Sequence, residues 1–305
     1  MHIIRSLEEL DSVHAPVIVA VGVFDGVHLG HQEVIRLCRV QAAAIGALPW
    51  VMTFDPHPLR VVQPSAAPSL LTGLPAKLDL LASQQIDGVM VIPFTPEFST
   101  LEPDAFLDQL MHRLPALKGL VIGENWRFGR QARGNVALLR ELAATRRFAV
   151  TVATPVMSGT LPVSSTRIRE AVATGQLDLA AALLGRRHSV RGTVIHGMKR
   201  GRKLGFPTAN LDVRGCAIPP SGIYAARVHL NQTVWSGALY LPATPESAQA
   251  ALEVHLLDYA GDLYDHELHI EFVDKIREDD RRFTNETDLI RQIQADVTTI
   301  RERLA

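Results

Sequence analysis

Eleven residues, Val21-Gly22-Val23-Phe24-Asp25-Gly26-Val27-His28-Leu29-Gly30-His31, constrain this chain more than any other stretch. They continue the apolar, β-branched run that starts at Val17 and lead into a helical pattern near Gln32. A strand that passes through a glycine-rich turn straight into a helix opens a βαβ unit. Glycines let the backbone approach a ligand closely, and the helix N-terminus behind them presents N–H groups to an anion. Three glycines, an aspartate and two histidines in one such turn point to a triphosphate site.

Downstream, the pattern repeats. The run 18–24 reads as a central parallel strand buried on both faces, and the helix after it carries apolar residues at Val34, Leu37, Cys38, Ala42 and Ile45 before Gly46 and Pro49 stop it. Residues 50–54, 88–92, 119–123 and 149–153 read as further strands, and 75–85, 103–114 and 136–144 as the helices between them. Alternation of this kind predicts an α/β fold with a doubly wound parallel sheet and right-handed crossovers. Ligands of such sheets sit beyond the carboxyl ends of the strands. The opening motif, the turn Asp55-Pro56-His57-Pro58 and the loop Asn125 to Gly129 all fall there.

Near Gly185 the texture changes. Short alternating segments, 189–195, 222–230, 233–241, 252–259 and 266–273, replace the helices, with Asn231-Gln232 and Ala260-Gly261-Asp262 as hairpin connections. About five antiparallel strands of this length predict a small closed barrel. A final helix, 286–304, aligns Leu289, Ile293, Val297, Ile300 and Leu304 for packing on it. Two domains, 1–185 and 186–305, suit a chain of 305 residues. A net charge of −1 gives no reason to expect nucleic acid or a membrane as partner. Two cysteines far apart, Cys38 and Cys216, an N-terminus without signal-peptide character and no apolar run of spanning length predict a cytoplasmic protein.

His28 and His31, three apart, lack a third ligand at metal spacing, so donors to phosphate oxygens are the better reading. Ser164-Ser165-Thr166-Arg167-Ile168-Arg169 opens another helix. Hydroxyls there are first of all caps. Two arginines in a first turn, where the helix dipole repels cations, favour an anion as well. A second glycine-rich stretch runs from Gly197 through Gly201 and Gly205 to Pro207-Thr208-Ala209-Asn210, with four basic residues inside it. It reads equally as a loop that wraps phosphate or as a basic surface loop ending in a turn. A turn would let Thr208 and Asn210 share one hard cation such as Mg²⁺.

The opening motif resembles the HxGH signature of the nucleotidylyltransferases, in the version carried by bacterial FAD synthetases. Thr53-Phe54-Asp55-Pro56-His57-Pro58, Gly123-Glu124-Asn125-Trp126-Arg127-Phe128-Gly129 and Val163 to Arg169 match the same family in order, with Trp126 where phenylalanine is commoner. The resemblance implies a Rossmann-like N-terminal domain in which His28, His31 and Arg169 are catalytic. It further implies that Gly22, Phe24, Asp25, Gly30, Ser165 and Thr166 hold ATP, and that Pro56, Pro58, Asn125 and Phe128 line the flavin. The PTAN segment similarly resembles bacterial riboflavin kinase, continued in Pro220-Ser221-Gly222, Glu253 to Asp258, Asp262-Leu263-Tyr264 and Ile276-Arg277. That likeness implies ATP at Gly201 and Gly205, Mg²⁺ at Thr208 and Asn210, and Glu253 as the base acting on a ribityl hydroxyl. By itself, Glu253 reads better as a polar residue on the outer face of a strand.

Two departures mark the kinase half. Gly237-Ala238-Leu239-Tyr240-Leu241-Pro242-Ala243-Thr244-Pro245 lacks the family's asparagine and second glycine, and Asp265 stands where glycine is common. The expected function is therefore riboflavin phosphorylation followed by AMP transfer to FMN, by a monomer or weak homo-oligomer. The alternative is adenylyl transfer alone, with the barrel a weakened kinase or flavin-binding module.

Overall fold

The structure, a computed structural model, describes residues 1–196, 201, 204–242, 252–279, 283 and 285–305. The basic positions Lys199, Arg200, Arg202 and Lys203 and the segment 243–245 lie outside them. The chain divides into two compact units, one of residues 1–68 and 74–164, the other of 69–73 and 165–305.

In the first unit the elements are β1 (His2–Ile4), β2 (Val17–Val21), α1 (Leu29–Ala44), β3 (Leu48–Asp55), α2 (Pro58–Val62), α3 (Leu74–Ala82), β4 (Gly88–Pro93), α4 (Pro96–Ser99), α5 (Pro103–Arg113), β5 (Leu117–Gly123), α6 (Val136–Arg146) and β6 (Ala149–Ala153). A short β7–β8 ladder (Met157–Ser158, Leu161–Pro162) follows. Six strands pair in the order β1-β4-β3-β2-β5-β6, every ladder parallel. All five residues of β2 are buried. Because side chains alternate across a strand, Val17, Val19 and Val21 enter the core under α5 and α6, while Ile18 and Ala20 enter the core under α1 and α3. This is the expected doubly wound sheet, with β1 an additional edge strand. Three residues are too few to show a period in the sequence.

The strand expected over 18–24 stops at Val21. Phe24 has φ 52°, a left-handed conformation no strand admits, and Val27 has φ 39°. The helix correspondingly starts at Leu29, not near Gln32, because His28 already caps it.

The second unit comprises α7 (Ser165–Ala173), α8 (Leu177–Leu184), β9 (Ser189–Ile195), β10 (Ala209–Asp212), β11 (Gly222–Leu230), β12 (Thr233–Leu241), β13 (Leu252–Leu256), β14 (Glu267–Arg277) and α9 (Glu286–Leu304). Six strands close into a barrel in the order β10-β13-β12-β11-β14-β9, all antiparallel. The additional strand, β10, has only four residues and comes just after Pro207, so it shows no alternation of its own in the sequence. Leu268, Ile270 and Phe272 fill the interior as their alternation predicts. Asn231 and Gln232, at φ 48° and 67°, form the tight hairpin between β11 and β12.

Val297, Ile300 and Leu304 of α9 pack on the barrel's outer face against Ala225 and Leu257. One strap joins this unit from far away in sequence. Leu70 N–H donates to Gly215 O at 2.7 Å, and Ala217 N–H to Leu70 O at 2.8 Å.

The carboxylate of Asp296 on α9 accepts from Arg277 Nε at 3.0 Å and Nη2 at 2.9 Å and from Gln292 Nε2 at 2.7 Å. The two side chains of the ion pair are only 17% and 8% exposed. Asp296→Ala leaves a mostly buried guanidinium without its counterion. Urea denaturation is expected to show a loss of about 2–3 kcal/mol.

Candidate functional site

The turn after β2 owes its shape to close packing. Gly22 N–H donates to Met52 O at 3.1 Å, and a Cβ on Gly22 would stand 3.2 Å from the Phe24 ring. Phe24, fully buried, meets the His31 ring edge-on at 5.1 Å. His28 is the N-cap of α1: its Nδ1 accepts from His31 N–H at 3.3 Å, and the two imidazoles stack at 3.6 Å. An Nδ1 that accepts is unprotonated, so the proton of the neutral ring resides on Nε2. That proton is a donor held in fixed orientation. Gly30 makes the stack possible, since a Cβ there would lie 3.1 Å from His28 Cε1.

Beneath this turn lies a residue the sequence reading missed. Lys77, on α3, is 5% exposed. Its Nζ donates to Val23 O at 3.0 Å and to Thr53 Oγ1 at 3.4 Å, and Thr53 Oγ1 itself donates to Val23 O at 2.9 Å. Burial lowers the Lys77 pKa from its ordinary value, and the fields of Asp25 and Asp55 oppose that shift. Asp25 is itself buried at 2% exposure. The available signal was a cation at a core position of an amphipathic helix, between Leu74, Leu78 and Leu81.

On the same sheet, Pro56 and Pro58 follow β3, where His57 Nδ1 caps α2 by accepting from Leu59 N–H at 3.2 Å. Asn125 is exposed in the loop after β5. Phe128 is buried, pinned by paired hydrogen bonds with Gly134 at 3.2 and 2.8 Å, and Trp126 stacks on it at 4.6 Å. Phe128 thus backs the half-buried Trp126 face.

Ser165, Thr166 and Arg169 share the first turns of α7 in the second unit, and Arg169 Nε donates to Ser69 O at 2.8 Å. A carbonyl therefore meets part of the guanidinium that the sequence assigned to an anion.

Within the barrel unit, Thr208, Asn210 and Glu253 come together. Asn210 and Glu253 are cross-strand partners of β10 and β13, and Thr208 Oγ1 donates to Glu253 Oε2 at 3.1 Å. No turn is needed to align Thr208 with Asn210, because residues two apart on extended chain share a face. Ala209 and Leu211 point into the core, so all three polar side chains lie on the outer face. Hydroxyl, amide and carboxylate oxygens side by side suit a hard divalent cation. Gly201 lies under this site: a Cβ would collide with Phe206 O, which follows the turn where Phe206 N–H bonds to Gly201 O at 2.9 Å. Gly205 sits at φ 86°.

A cavity of about 550 Å³ opens beside Thr208, with Tyr259, Asp262 and Tyr264 in its wall. Asp265, which replaces a common glycine, has φ 62°, a conformation aspartate tolerates. Among the described residues no cluster of histidine, cysteine and carboxylates forms a metal site, and no helix is long and apolar enough to cross a membrane.

Comparison with known proteins matches two families in succession along the chain. The family described as FAD synthetase matches residues 10–167, and the family described as riboflavin kinase matches 184–304. Proteins named bifunctional riboflavin kinase/FMN adenylyltransferase are similar over nearly the full length. That of Pseudomonas fluorescens is 34% identical over 99% of this chain and 97% of its own, and that of Haemophilus influenzae 35% over 98% of each. A crystal structure from Streptococcus pneumoniae, described as a macrolide-efflux protein, aligns over 99% of both chains with a TM-score of 0.85 at 26% identity.

Lys77 offers a test of the first cluster by pH. Its lowered pKa means that, just below 10.5, the unfolded chain binds the proton and the folded one releases it. Stability contributed by this residue therefore rises with pH through that window. Lys77→Met is expected to remove the rise, read as a flatter unfolding free energy against pH than the parent chain shows.

Proposed function

The chain belongs to the family of bifunctional riboflavin kinases/FMN adenylyltransferases, and from that premise we propose how its residues divide the work. It is a transferase with two activities: phosphorylation of riboflavin by ATP, and transfer of AMP from ATP to FMN, which yields FAD and pyrophosphate. We assign the second activity to residues 1–185 and the first to 186–305. The observation that carries the residue assignment is the hydrogen bond from Thr208 to Glu253 across paired strands, which sets a carboxylate against oxygen ligands suited to a cation.

In adenylyl transfer the attacking group is the phosphate of FMN. It is already anionic and needs no base. An oxygen of that phosphate attacks the α-phosphorus and pyrophosphate leaves. His28, through Nε2–H, and His31 donate to the oxygens on which charge grows. Gly22, Phe24, Asp25 and Gly30 shape the nucleotide side; Ser165, Thr166 and Arg169 receive the leaving pyrophosphate. Pro56, Pro58 and Asn125 line the flavin, with Phe128 supporting Trp126.

A ribityl hydroxyl is a poorer nucleophile, and here Glu253 takes its proton as the oxygen attacks the γ-phosphorus and ADP leaves. Thr208 and Asn210 would hold Mg²⁺, which when bound neutralises phosphate charge, and Gly201 and Gly205 let the loop approach the nucleotide. The cavity beside Thr208 is of a size for that nucleotide. The alternative of adenylyl transfer alone gains nothing from Asp265, whose conformation matches what the replaced glycine would supply. The thiols of Cys38 and Cys216, the former's pKa pushed up to about 12 by burial, suit a cytoplasmic enzyme; we expect a monomer or weak homo-oligomer.

Incubation with riboflavin, ATP and Mg²⁺, with chromatographic separation of the flavins, is expected to yield FMN and FAD. In Glu253→Gln, FMN formation should fall by about 10²- to 10⁴-fold while conversion of added FMN to FAD persists. No FMN from the parent chain would remove the kinase assignment; no FAD from added FMN would remove the other.

Gly30→Ala separates catalysis from folding. Alanine favours a helix interior by about 1 kcal/mol over glycine, and loss of the His28 cap costs a similar amount, so the melting temperature should change little. The displaced His28 ring should cost about 10²-fold in FAD formation.

A further inference from the structure

A lysine on the apolar face of a short helix is costly. Its ammonium must be desolvated, and a methionine of similar length would fill the same space without that cost. Lys77 is nevertheless buried at 5% exposure, on the face that Leu78 and Leu81 share. Packing does not explain it. Its partners are informative instead, because all of them belong to the carboxyl ends of β2 and β3. Nζ donates to Val23 O, the last carbonyl before the left-handed Phe24, and to Thr53 Oγ1. Asp25, buried in the turn, and Asp55, exposed at the end of β3, are the carboxylates whose fields reach Lys77.

The turn from Val23 to His28 holds two non-glycine residues at positive φ, Phe24 and Val27, and conformations of that kind persist only where surrounding contacts enforce them. Two donors converging on one carbonyl, from Lys77 and Thr53, are such contacts. The charge matters as much. Asp25 and Asp55 place two negative charges near a turn that must receive a triphosphate, and a cation reached by both fields offsets that repulsion.

We propose that Lys77 is a positioning residue for adenylyl transfer: its ammonium pins the Val23 carbonyl, and with it the turn that presents His28, while its charge offsets Asp25 and Asp55 where the nucleotide binds. The proposal rests on the reading of His28 and His31 as the adenylyl-transfer residues.

The test uses the full chain and measures two steps separately, FMN plus ATP to FAD and riboflavin plus ATP to FMN. Lys77→Met should lower kcat/KM for FAD formation by about 10²-fold and raise the KM for ATP in that step, with the kinase step within about twofold of the parent. Val23 O keeps the Thr53 hydroxyl, so the fold should survive. Lys77→Arg, which retains the cation, should recover about tenfold of the loss, whereas Lys77→Gln, which retains only a donor, should not. Adding Asp55→Asn to Lys77→Met should bring the KM for ATP part of the way back, a coupling that a packing role would not produce.

FAD formation by Lys77→Met within about threefold of the parent overturns the proposal. Equal impairment of the Arg and Gln variants with an unchanged KM for ATP also overturns it, and that comparison decides the matter if the Met variant does not fold. A parent chain that makes no FAD from added FMN sinks the underlying reading instead, a result distinct from any of these.

Discussion

Five residues with no exposed face, Val17 to Val21, set the terms for the first unit. A strand buried on both sides must send alternate side chains into two cores, and helices must cover both. The central place of β2 in the sheet and the helices above and below it follow from that demand. So does the turn. Parallel neighbours run beside β2 to its end, and the chain must leave the sheet abruptly to begin α1. It does so through left-handed Phe24, Gly26 and Val27, and the first residue back in a relaxed conformation, His28, closes the helix with its own ring. The placement of the His28 ring is thus a by-product of how a fully buried strand gets out.

On the proposed assignment the two halves would handle phosphate by different means, and the nucleophiles would explain the difference. A phosphate attacking group brings its own charge, so the first unit need supply only oriented donors such as the His28 ring, whose Nδ1 is held by His31 N–H. A hydroxyl must lose a proton, which is the role proposed for Glu253, and in the barrel that carboxylate accepts from Thr208. Both solutions occupy positions where the scaffold is most constrained: a strand end in one case, the outer face of two paired strands in the other. The barrel interior is filled by apolar residues such as Leu268, Ile270 and Phe272.

Most of the architecture was legible because its signals are long. The 3.6-residue pattern of α1, the continuous apolar run of β2 and the alternation in β14 each extend over several periods. What escaped was short or non-local. Strands β1 and β10, with three and four residues, show no period of their own. His28, Thr208 and Asn210 were visible as motif members. That His28 caps its helix, or that Asn210 faces Glu253, depends on backbone geometry and register, which spacing does not encode. Lys77 was the hardest. Its helix announces a misplaced charge, but Val23, Asp25, Thr53 and Asp55 become its neighbours only once the sheet has assembled.

The strap at Leu70 has a bearing on how this chain can be taken apart. The second unit is not one stretch of sequence: residues 69–73 pair with the segment around Cys216, almost 150 positions later, through two main-chain hydrogen bonds. A fragment cut to begin at Ser165 would carry the complete barrel and all its helices yet lose these two bonds, together with the carbonyl that engages Arg169. Genetic dissection into halves, the usual way to study a two-activity protein, therefore has no clean seam here. Any division at a single peptide bond between the two matched families takes part of one unit away with the other.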